Sequence, residues 1–510
     1  MPFEAVGYAW LAKHYAIPES RLRAFSVVGA GRGPIPGAHD KEPSRFTAKY
    51  WPGELPLDHL MFALKHESIQ LDLLADLFRR LDPAELARHI ERTPTGRNAR
   101  IAGFLYEWFT GIEVAVNAHI AGKYESVLDD QKYLVPQGRR VPRWRVLNNL
   151  PGTPAFCPIV RRTIELETFS LNVDFSARIA SYRKTIDPRL FARAIGYLYQ
   201  KETQSSFDIE RETLSPGRAT LFLNVLATAG LDPNLLSEAG LTDLQRAILD
   251  PRYVESGFRR GQNYVGTSLK RYRQKVHYAC PPPQLVPSLM AGLMALPELL
   301  AGVEPLAEAA MISFGFVFIH PFDDGNGRIH RFLIHDVLAR RAVLPRDIII
   351  PVSAYMLREP GQYEAALEQF SIPLMRLVRY DLNESNGELT VENPEEIESL
   401  YRYPDLTAQA EFLGRALRSS VDDDLPGEID FLQKYDQTVE LIRQIVDLPD
   451  KRLQLLIRLL HEQGGRLSHT KRGAKFSELT DDEVLAIQDA FAEGFQTTAD
   501  MFGIARRDDA

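Results

Sequence analysis

The stretch His320-Pro321-Phe322-Asp323-Asp324-Gly325-Asn326-Gly327-Arg328-Ile329-His330-Arg331 decides the fold of this chain. It combines imidazole, carboxylate, glycine and guanidinium groups in one short segment. Residues 311–319 before it are apolar on all sides, which predicts a buried helix. Residues 332–341 after it have helical spacing, so a second helix is predicted to begin near Asn326. The polar stretch is therefore predicted to be a short loop between two buried segments.

The glycines and arginines of this stretch predict a phosphate site. Loop N–H groups and the positive end of a helix dipole both attract anions. Gly325 and Gly327 let the backbone approach an anion closely and adopt positive φ angles. Arg328 and Arg331 share one face of the predicted helix, and their guanidinium groups match the geometry of phosphate oxygens. We therefore predict that the loop binds a phosphate, for example one of a nucleoside triphosphate.

The other polar groups of the loop have a chemical interpretation and a structural one. His320 could take a proton from an attacking hydroxyl, because the imidazole pKa is ordinarily about 6.5, or it could end a helix and bond a carbonyl. Asp324 could hold a Mg²⁺ ion that bridges the phosphates, or it could be a surface turn residue. Asn326 and the N–H groups of Gly325 and Gly327 could hold an α-phosphate, or form a plain Asn-Gly turn.

His330 and the pair His335-Asp336 allow a different interpretation, a metal-dependent phosphohydrolase. That chemistry would need a second aspartate in a suitable context, and the surrounding sequence supplies none. We expect these histidines to be core or surface residues.

Composition places the chain among ordinary globular proteins. It has 510 residues, of which 45% are hydrophobic and 25% charged, enough for about two to four domains. The net charge of −8 argues against a general nucleic-acid binder. Only Cys157 and Cys280 are present, which indicates a reducing compartment. We see no signal peptide and no apolar run of membrane-spanning length, so we expect a soluble, cytoplasmic protein without a membrane partner.

The predicted fold class is mainly α, in three regions. Residues 1–172 form a mostly helical N-terminal region with a basic strand-like segment, Arg139–Arg145, interpreted as a solvated hairpin and not as a nucleic-acid patch. Residues 173–382 form the core region around the polar loop. Residues 383–510 form a C-terminal helical region. Within the core region, Asp187-Pro188 and Thr242 are predicted to open helices.

The polar stretch resembles the signature of the Fic (Fic/Doc) family, His-x-Phe-x-Asp/Glu-Gly-Asn-Gly-Arg-x-x-Arg, and every defined position matches. The resemblance implies a helical core with a β-hairpin flap, which transfers AMP from ATP to a protein Ser, Thr or Tyr hydroxyl and releases pyrophosphate. It implies that His320 is the base, Asp324 the Mg²⁺ ligand and Asn326 the α-phosphate contact. Arg328 and Arg331 would contact the outer phosphates.

A second feature resembles the family's inhibitory helix, (Ser/Thr)-x-x-x-Glu-(Gly/Asn). Ser206 and Glu210 fit this pattern, and the sixth position is Arg211 instead of Gly or Asn. The resemblance implies that Glu210 pairs with Arg331 in the place of the γ-phosphate, so that ATP binds unproductively. Because the segment precedes the signature, it implies the self-inhibited type with an N-terminal inhibitory helix. The alternative is a solvent-facing glutamate.

Two further segments resemble parts of the family. Residues 258–278 are similar to the flap, which would hold the target segment as an added strand along Tyr264, Val265 and Gly266. Tyr363 partly matches a Tyr-Tyr-x-x-Leu stretch that helps to form the adenine pocket, although the residue after it is a glutamate.

The leading hypothesis is therefore a protein adenylyltransferase that uses ATP and Mg²⁺ and is inhibited by Glu210. Two alternatives stay open. The same site could remove AMP from a modified protein, with Glu210 positioning water, or perform another nucleotidyl transfer. The chain could instead be a regulator that senses nucleotide without turnover. The expected partners are ATP and a protein substrate, with self-modification and a homodimer also compatible with the sequence and nucleic acid not expected.

Overall fold

The computed structural model describes residues 3–29, 43–168, 173–268, 274–383 and 385–496. These residues are mostly helical, so the predicted mainly-α class is confirmed. None of their helices is both long enough and apolar enough to cross a bilayer.

The helices follow one another along nearly the whole described chain. In chain order they are α1 (Tyr8–His14), α2 (Pro56–His66), α3 (Leu71–Arg80), α4 (Pro83–Arg92), α5 (Arg97–Thr110), α6 (Ile164–Leu166), α7 (Phe175–Thr185), α8 (Pro188–Ile209), α9 (Pro216–Leu226), α10 (Glu238–Ile248), α11 (Val286–Met294), α12 (Leu296–Leu299), α13 (Pro305–Ile319), α14 (Asn326–Arg340), α15 (Val352–Arg358), α16 (Pro360–Met375), α17 (Pro394–Arg402), α18 (Thr407–Ser419), α19 (Leu425–Arg443), α20 (Asp450–Glu462), α21 (His469–Lys475) and α22 (Asp481–Gln496).

The strands are short and form small separate sheets. They are β1 (Glu4–Val6), β2 (Ser26–Val28), β3 (Ser44–Phe46), β4 (Glu125–Ser126), β5 (Arg139–Val141), β6 (Val146–Asn148), β7 (Tyr264–Ser268), β8 (Gln274–Ala279), β9 (Tyr380–Leu382) and β10 (Leu389–Val391). The sheet orders are β1-β2-β3, β4-β6-β5, β7-β8 and β10-β9. Only the β2–β3 and β4–β6 pairs are parallel.

The chain divides into two compact units. The first contains the described parts of Met1–Val173, Thr203–Asp347 and Val352–Ala416. The second contains the described parts of Asp174–Glu202, Ile348–Pro351 and Leu417–Ala510.

These two units divide the sequence at other positions than the three predicted regions do. The proposal that the three regions are separate domains stays a prediction. Residues 385–416 belong to the first unit and are joined to it by long-range contacts. The hydroxyl of Tyr401 donates to the carbonyl of Ala279 over 2.7 Å, and the N–H of Cys157 donates to the carbonyl of Arg402 over 2.8 Å. Sequence periodicity carries no information about such pairings, because they join residues more than a hundred positions apart.

The basic segment of the first unit is the predicted hairpin. Strands β5 and β6 pair antiparallel. Between them Trp144 is buried, and its indole N–H donates to Glu107 over 2.6 Å. Arg143 pairs with Glu107 and Glu113. One positive charge of the segment, that of Arg143, is thus paired with two local carboxylates.

Helices α13 and α14 form the core that carries the polar loop. Almost every side chain of α13 is buried, including Ile312, Phe314 and Phe316, as its apolar sequence predicts. Each fully buried large side chain stabilises the folded state by about 1.5 to 3 kcal/mol, so this helix is held firmly. Helix α14 begins at Asn326, and the predicted start is confirmed.

Two of the predicted helix starts can be compared with the structure. Helix α8 begins at Pro188, and the carboxylate of Asp187 accepts from two N–H groups of its first turn. The prediction for Thr242 is wrong, because α10 begins at Glu238 after the N-cap Ser237. Ser237 already supplies the capping oxygen, and the Thr242 hydroxyl instead donates to the carbonyl of Glu238 inside the helix.

The second unit has a helical core of its own. Buried side chains of α19, α20 and α22 pack together, among them Ile442, Leu456, Leu460 and Ile487. This core accounts for a separate compact body late in the chain.

Candidate active site

The polar loop joins the end of α13 to the start of α14. His320 follows α13 and has a left-handed backbone, with φ of 53°. Gly325 precedes α14 with φ of 88°, a conformation that glycine adopts without steric cost. Phe322 is fully buried and anchors the loop to the core. The loop is thus fixed at both ends and in the middle.

His320 is oriented by its own helix. Its Nδ1 lies 3.1 Å from the carbonyl oxygen of Val317, which can only accept, so Nδ1 carries the proton and Nε2 of the neutral ring is the basic nitrogen. Burial lowers the pKa of His320 to about 4, so the ring is neutral at physiological pH. The two interpretations of this histidine are therefore compatible: it ends a helix and bonds a carbonyl, and it still offers a basic nitrogen.

The amide of Asn326 is used inside the loop. Its Oδ1 accepts from the N–H of Phe322 over 3.1 Å, and its Nδ2 donates to the carbonyl of Phe322 over 2.8 Å. Asn326 is buried. In this structure the Asn326 side chain closes the loop by bonding to the backbone of Phe322. A contact between Asn326 and an α-phosphate stays a prediction. The N–H groups of the first turn of α14, including those of Gly327 and Arg328, have no acceptor within a regular helix and are the more direct anion donors.

Asp324 is the most open of the predicted ligands. Its side chain is 58% exposed, and Oδ1 accepts from the N–H of Gly325 over 2.6 Å. The N–H of Gly325 is therefore occupied and does not point at a phosphate in this structure. Oδ1 also lies 3.7 Å from Arg328.

Arg331 is buried and bound by the predicted inhibitory segment. Its Nε donates to the hydroxyl of Ser206 over 2.9 Å, and one Nη donates to the Ser206 carbonyl over 2.9 Å and to Glu210 over 2.7 Å. Burial alone would raise the pKa of Glu210, but Arg331, with Arg328 and His320, lowers it below its ordinary value. The geometry predicted for Ser206 and Glu210 is present. A Cβ at Gly327 would collide with the Glu210 carboxylate, so this carboxylate lies directly over the loop.

Arg328 is bound by a residue that sequence reasoning missed. Glu212 lies 2.9 Å and 3.1 Å from two nitrogens of this buried guanidinium. The only sequence signal was a second acid two positions after Glu210. The direction in which the Glu212 side chain points depends on the turn that ends α8.

That turn explains the residue between the two acids. The N–H of Arg211 donates to the carbonyl of Asp208 over 3.0 Å, and the N–H of Glu212 donates to the carbonyl of Phe207 over 3.1 Å. This is a Schellman motif, which needs a left-handed residue at its centre, and Arg211 has φ of 57°. Gly and Asn adopt this conformation most easily, so the family pattern at this position has a backbone reason.

Tyr363 lies beside the arginines. Burial raises the pKa of Tyr363 to about 12, although the nearby charge of Arg331 acts to lower it. Its ring packs 5.4 Å from that of Phe412. The structure thus places the tyrosine next to the Arg331–Glu210 pair, and its role beside an adenine stays a prediction.

The predicted flap is a two-stranded hairpin in the described residues. Tyr264, Val265 and Gly266 lie on β7, which pairs antiparallel with β8. A register shift between Val265 and Gly266 marks a β-bulge, which re-aims the strand. Val265 is 43% exposed. The tip, residues 269–273, lies outside the described residues.

Two further residues that the sequence analysis missed tie the base of the flap to the loop. Arg259 is buried and donates over 2.7 Å to the carbonyl oxygens of His320, Gly261 and Pro281. Asn263 donates to the carbonyl of Asp323 over 3.1 Å. These bonds join the hairpin to the loop that holds His320.

His330 and Asp336, which the phosphohydrolase interpretation used, have structural partners. The Nδ1 of His330 lies 2.8 Å from the carbonyl of Ser313, and burial lowers its pKa to about 3. Asp336 accepts from the N–H of Gly230 and pairs with Arg340. Among the described residues there is no group of three His, Cys, Asp or Glu side chains that could hold a metal. The phosphohydrolase interpretation has no support here.

A cavity of about 570 Å³ lies elsewhere in the first unit, and none of the predicted site residues lines it. Its walls include Arg23, Tyr133, Phe370 and Asp405. The space over the polar loop is instead covered by Glu210 and Glu212, which bind the two arginines.

Comparison with known protein families finds a match that includes the polar loop. Residues 235–338 match the Fic/DOC family. The matched Fic region contains the flap, the loop and nearly all of α14, while Ser206, Glu210 and Glu212 precede it.

Individual relatives of the Fic region are distant. A Drosophila willistoni protein named "Protein adenylyltransferase Fic" is 31% identical over 156 residues, which are 29% of this chain and 27% of that protein. A Fic family protein of Desulfovibrio desulfuricans has 22% identity over 62% of this chain and 88% of its own, with a TM-score of 0.38. A Fic domain containing signaling protein of Bacteroides thetaiotaomicron has 20% identity over 50% and 97%, with a TM-score of 0.36.

Proposed function

We propose that this chain transfers AMP from ATP to a Ser, Thr or Tyr hydroxyl of a protein, and that Glu210 inhibits the transfer. One observation carries the proposal. The carboxylate of Glu210 lies 2.7 Å from Arg331 and directly over Gly327 in the loop that follows His320, and His320 and Arg328 both help to lower its pKa. A candidate base and two candidate phosphate ligands therefore surround one space. The match to the Fic/DOC family and the name of the Drosophila relative support the same activity.

The reaction uses groups that are already oriented. The basic Nε2 of His320 takes the proton of the attacking hydroxyl. The hydroxyl oxygen forms a bond to the α-phosphorus as the bond to the β-phosphate oxygen breaks, and pyrophosphate leaves. N–H groups at the start of α14 stabilise the charge that develops on the α-phosphate. Arg328 and Arg331, once free of carboxylates, hold the outer phosphates.

The loop has a suitable ligand for Mg²⁺. The ion prefers oxygen ligands, and it often binds through one or two carboxylates together with the phosphates of the substrate. Asp324 fits, because its carboxylate is exposed and sits beside the phosphate-binding arginine Arg328. When bound, Mg²⁺ neutralises phosphate charge.

The target protein has a docking edge in this proposal. In the described residues β7 pairs only with β8, so its other edge can accept an extended segment as an added strand. Arg259 ties the lower end of the flap to the carbonyl oxygen of His320. A segment bound along Tyr264, Val265 and Gly266 would therefore be held at a fixed distance from the His320 imidazole.

The test is label transfer from ATP. We expect Glu210→Gly to transfer the label of α-³²P-ATP, but not of γ-³²P-ATP, to itself or to a lysate protein, at least roughly tenfold faster than the unchanged chain. Adding His320→Ala should reduce this transfer by about 100-fold or more. Equal transfer with and without His320 would contradict the proposed base, and label from the γ-phosphate would contradict AMP transfer.

The reverse reaction is a second candidate, because the Glu210 carboxylate lies near His320 and could orient water there. A pre-modified target distinguishes the two directions. Free AMP released by the unchanged chain and not by Glu210→Gly would favour removal of AMP.

A further inference from the structure

The segment that carries Glu210 has a second carboxylate, Glu212. Glu212 binds Arg328 as Glu210 binds Arg331. Glu212 accepts a hydrogen bond from one Nη of Arg328 over 3.1 Å, and its other carboxylate oxygen lies 2.9 Å from the second Nη, so the two groups face each other fork to fork. Arg328 is only 1% exposed, so water screens the pair little. Paired ionic hydrogen bonds of this kind are about twice as strong as neutral ones. In this state Arg328 is not available to another anion.

A nearby arginine gives Glu212 an alternative partner. Arg218, in α9, lies 2.8 Å from the Glu212 carboxylate. Arg218 and Arg328 both lie over the ring of Phe207, at 4.9 Å and 5.4 Å from its centroid. If Glu212 released Arg328, it would keep its ion pair with Arg218. Release therefore leaves no unpaired carboxylate, which keeps the cost of release low.

One turn positions both carboxylates. The Schellman motif around Arg211 fixes the backbone from Phe207 to Glu212. As a result Glu210 meets Arg331 and Glu212 meets Arg328, and each of the two guanidinium groups on this face of α14 is neutralised by its own acid.

We propose that Glu212 is a second inhibitory carboxylate, which a nucleoside triphosphate must displace from Arg328 in order to bind. The inference rests on the proposed function, in which Arg328 holds the outer phosphates. Glu210 and Glu212 bind different arginines, so each opposes nucleotide binding through its own contact. The chain is thus inhibited at two phosphate-binding groups.

Calorimetric titration with Mg-ATP tests this proposal on the full chain. We expect Glu212→Gln to lower the Kd about tenfold, both alone and in the Glu210→Gly background, because one charge-assisted contact no longer competes. Glu212→Ala should give the same direction of change. The matched control is Asp208→Asn, which removes a carboxylate from the same helix end that is bonded only to Gln204 in the described structure. Its Kd should stay within about twofold, since no arginine is released.

Thermal unfolding of each variant confirms that it is folded before titration. A Kd for Glu212→Gln and Glu212→Ala that stays equal to the parent value in both backgrounds would overturn the second inhibitory role, while label transfer by Glu210→Gly would leave the proposed function standing. If no variant bound Mg-ATP and Glu210→Gly transferred no label, the proposed function would fail together with this inference.

Discussion

His320 shows how one residue serves the fold and the chemistry together. It ends α13 in a left-handed conformation, with φ of 53°, which a residue with a Cβ adopts at a cost of about 1 to 2 kcal/mol. Its Nδ1–H bonds the Val317 carbonyl, and this bond fixes the ring so that Nε2 is basic. The buried core of α13 supplies the stability that tolerates this strain.

The low pKa of His320 predicts the pH profile of transfer. Burial lowers it from 6.5 to about 4, so the basic form persists at every pH above that value. In Glu210→Gly we expect kcat/KM for transfer to be flat from about pH 6 to 8 and to fall as the pH drops through about 4, because kcat/KM reports groups of the free enzyme. A midpoint near 6.5 would contradict a buried base, and circular dichroism at each pH checks that the chain stays folded.

At the scale of elements, the end of α8 places Arg211 in a strained backbone conformation. The turn needs a left-handed residue there, and the chain supplies an arginine instead of glycine. This strained turn lies directly between the two carboxylates that bind Arg331 and Arg328. Strain at this point therefore bears on both the stability of α8 and the positions of Glu210 and Glu212.

Replacing Arg211 by glycine should relieve that strain. We expect Arg211→Gly to raise the free energy of unfolding by about 1 kcal/mol, because glycine adopts positive φ freely. Arg211→Ala, which keeps the Cβ, is the control and should show no such gain. Urea unfolding measures both, and equal stability of the two variants would show that the turn is not strained.

The base of the flap is the second element with a testable role. Arg259 donates to the carbonyl oxygens of His320, Gly261 and Pro281 from a buried position. We expect Arg259→Gln to lower the free energy of unfolding by about 3 kcal/mol, since each orphaned buried acceptor costs about 1 to 3 kcal/mol. In the Glu210→Gly background it should also slow transfer roughly 100-fold, because the base is displaced.

The neighbouring Arg260 is exposed and provides the control. Arg260→Gln should change stability by less than about 0.5 kcal/mol, as surface substitutions usually do. If Arg259→Gln transferred label at the rate of its Glu210→Gly parent, Arg259 would have no part in placing the imidazole.

At the scale of the whole molecule, the chain consists of two compact units, each with its own core. All of the candidate site lies in the first unit, including the part of α8 after Thr203. The second unit has a core of α19, α20 and α22 and contains none of the predicted site residues. Its stability can therefore be changed without touching the site.

Leu460 tests this separation. It is fully buried in the second unit, and Leu460→Ala should reduce the free energy of unfolding of that unit by about 2 to 5 kcal/mol. Leu485, which is 60% exposed in the same unit, is the control and should lose little when it is changed to Ala. Hydrogen exchange measures the two units separately. The Kd of Glu210→Gly for Mg-ATP should not change with either substitution, and a large change would show that the units are coupled.

The sequence by itself determined the elements next to the loop and the chemical types within it. Apolar residues on every side of 311–319 require a buried helix, and the glycines and arginines after it identify a loop at a helix start. The pairing of Glu210 with Arg331, more than a hundred positions apart, was implied by the family resemblance and not by a local pattern. The helix and the loop depend on neighbours within a few positions, which periodicity and local pattern describe well.

Only the tertiary structure decided the rest. The acid that binds Arg328 and the carbonyl groups that Arg259 holds lie far from these arginines in sequence. The contacts that join residues 385–416 to the first unit are also long-range. Glu212 is the clearest case: its residue type was visible, but its direction comes from a left-handed turn and from the position of α14. Sequence names the charges that are present, and the packing of distant elements decides which of them meet.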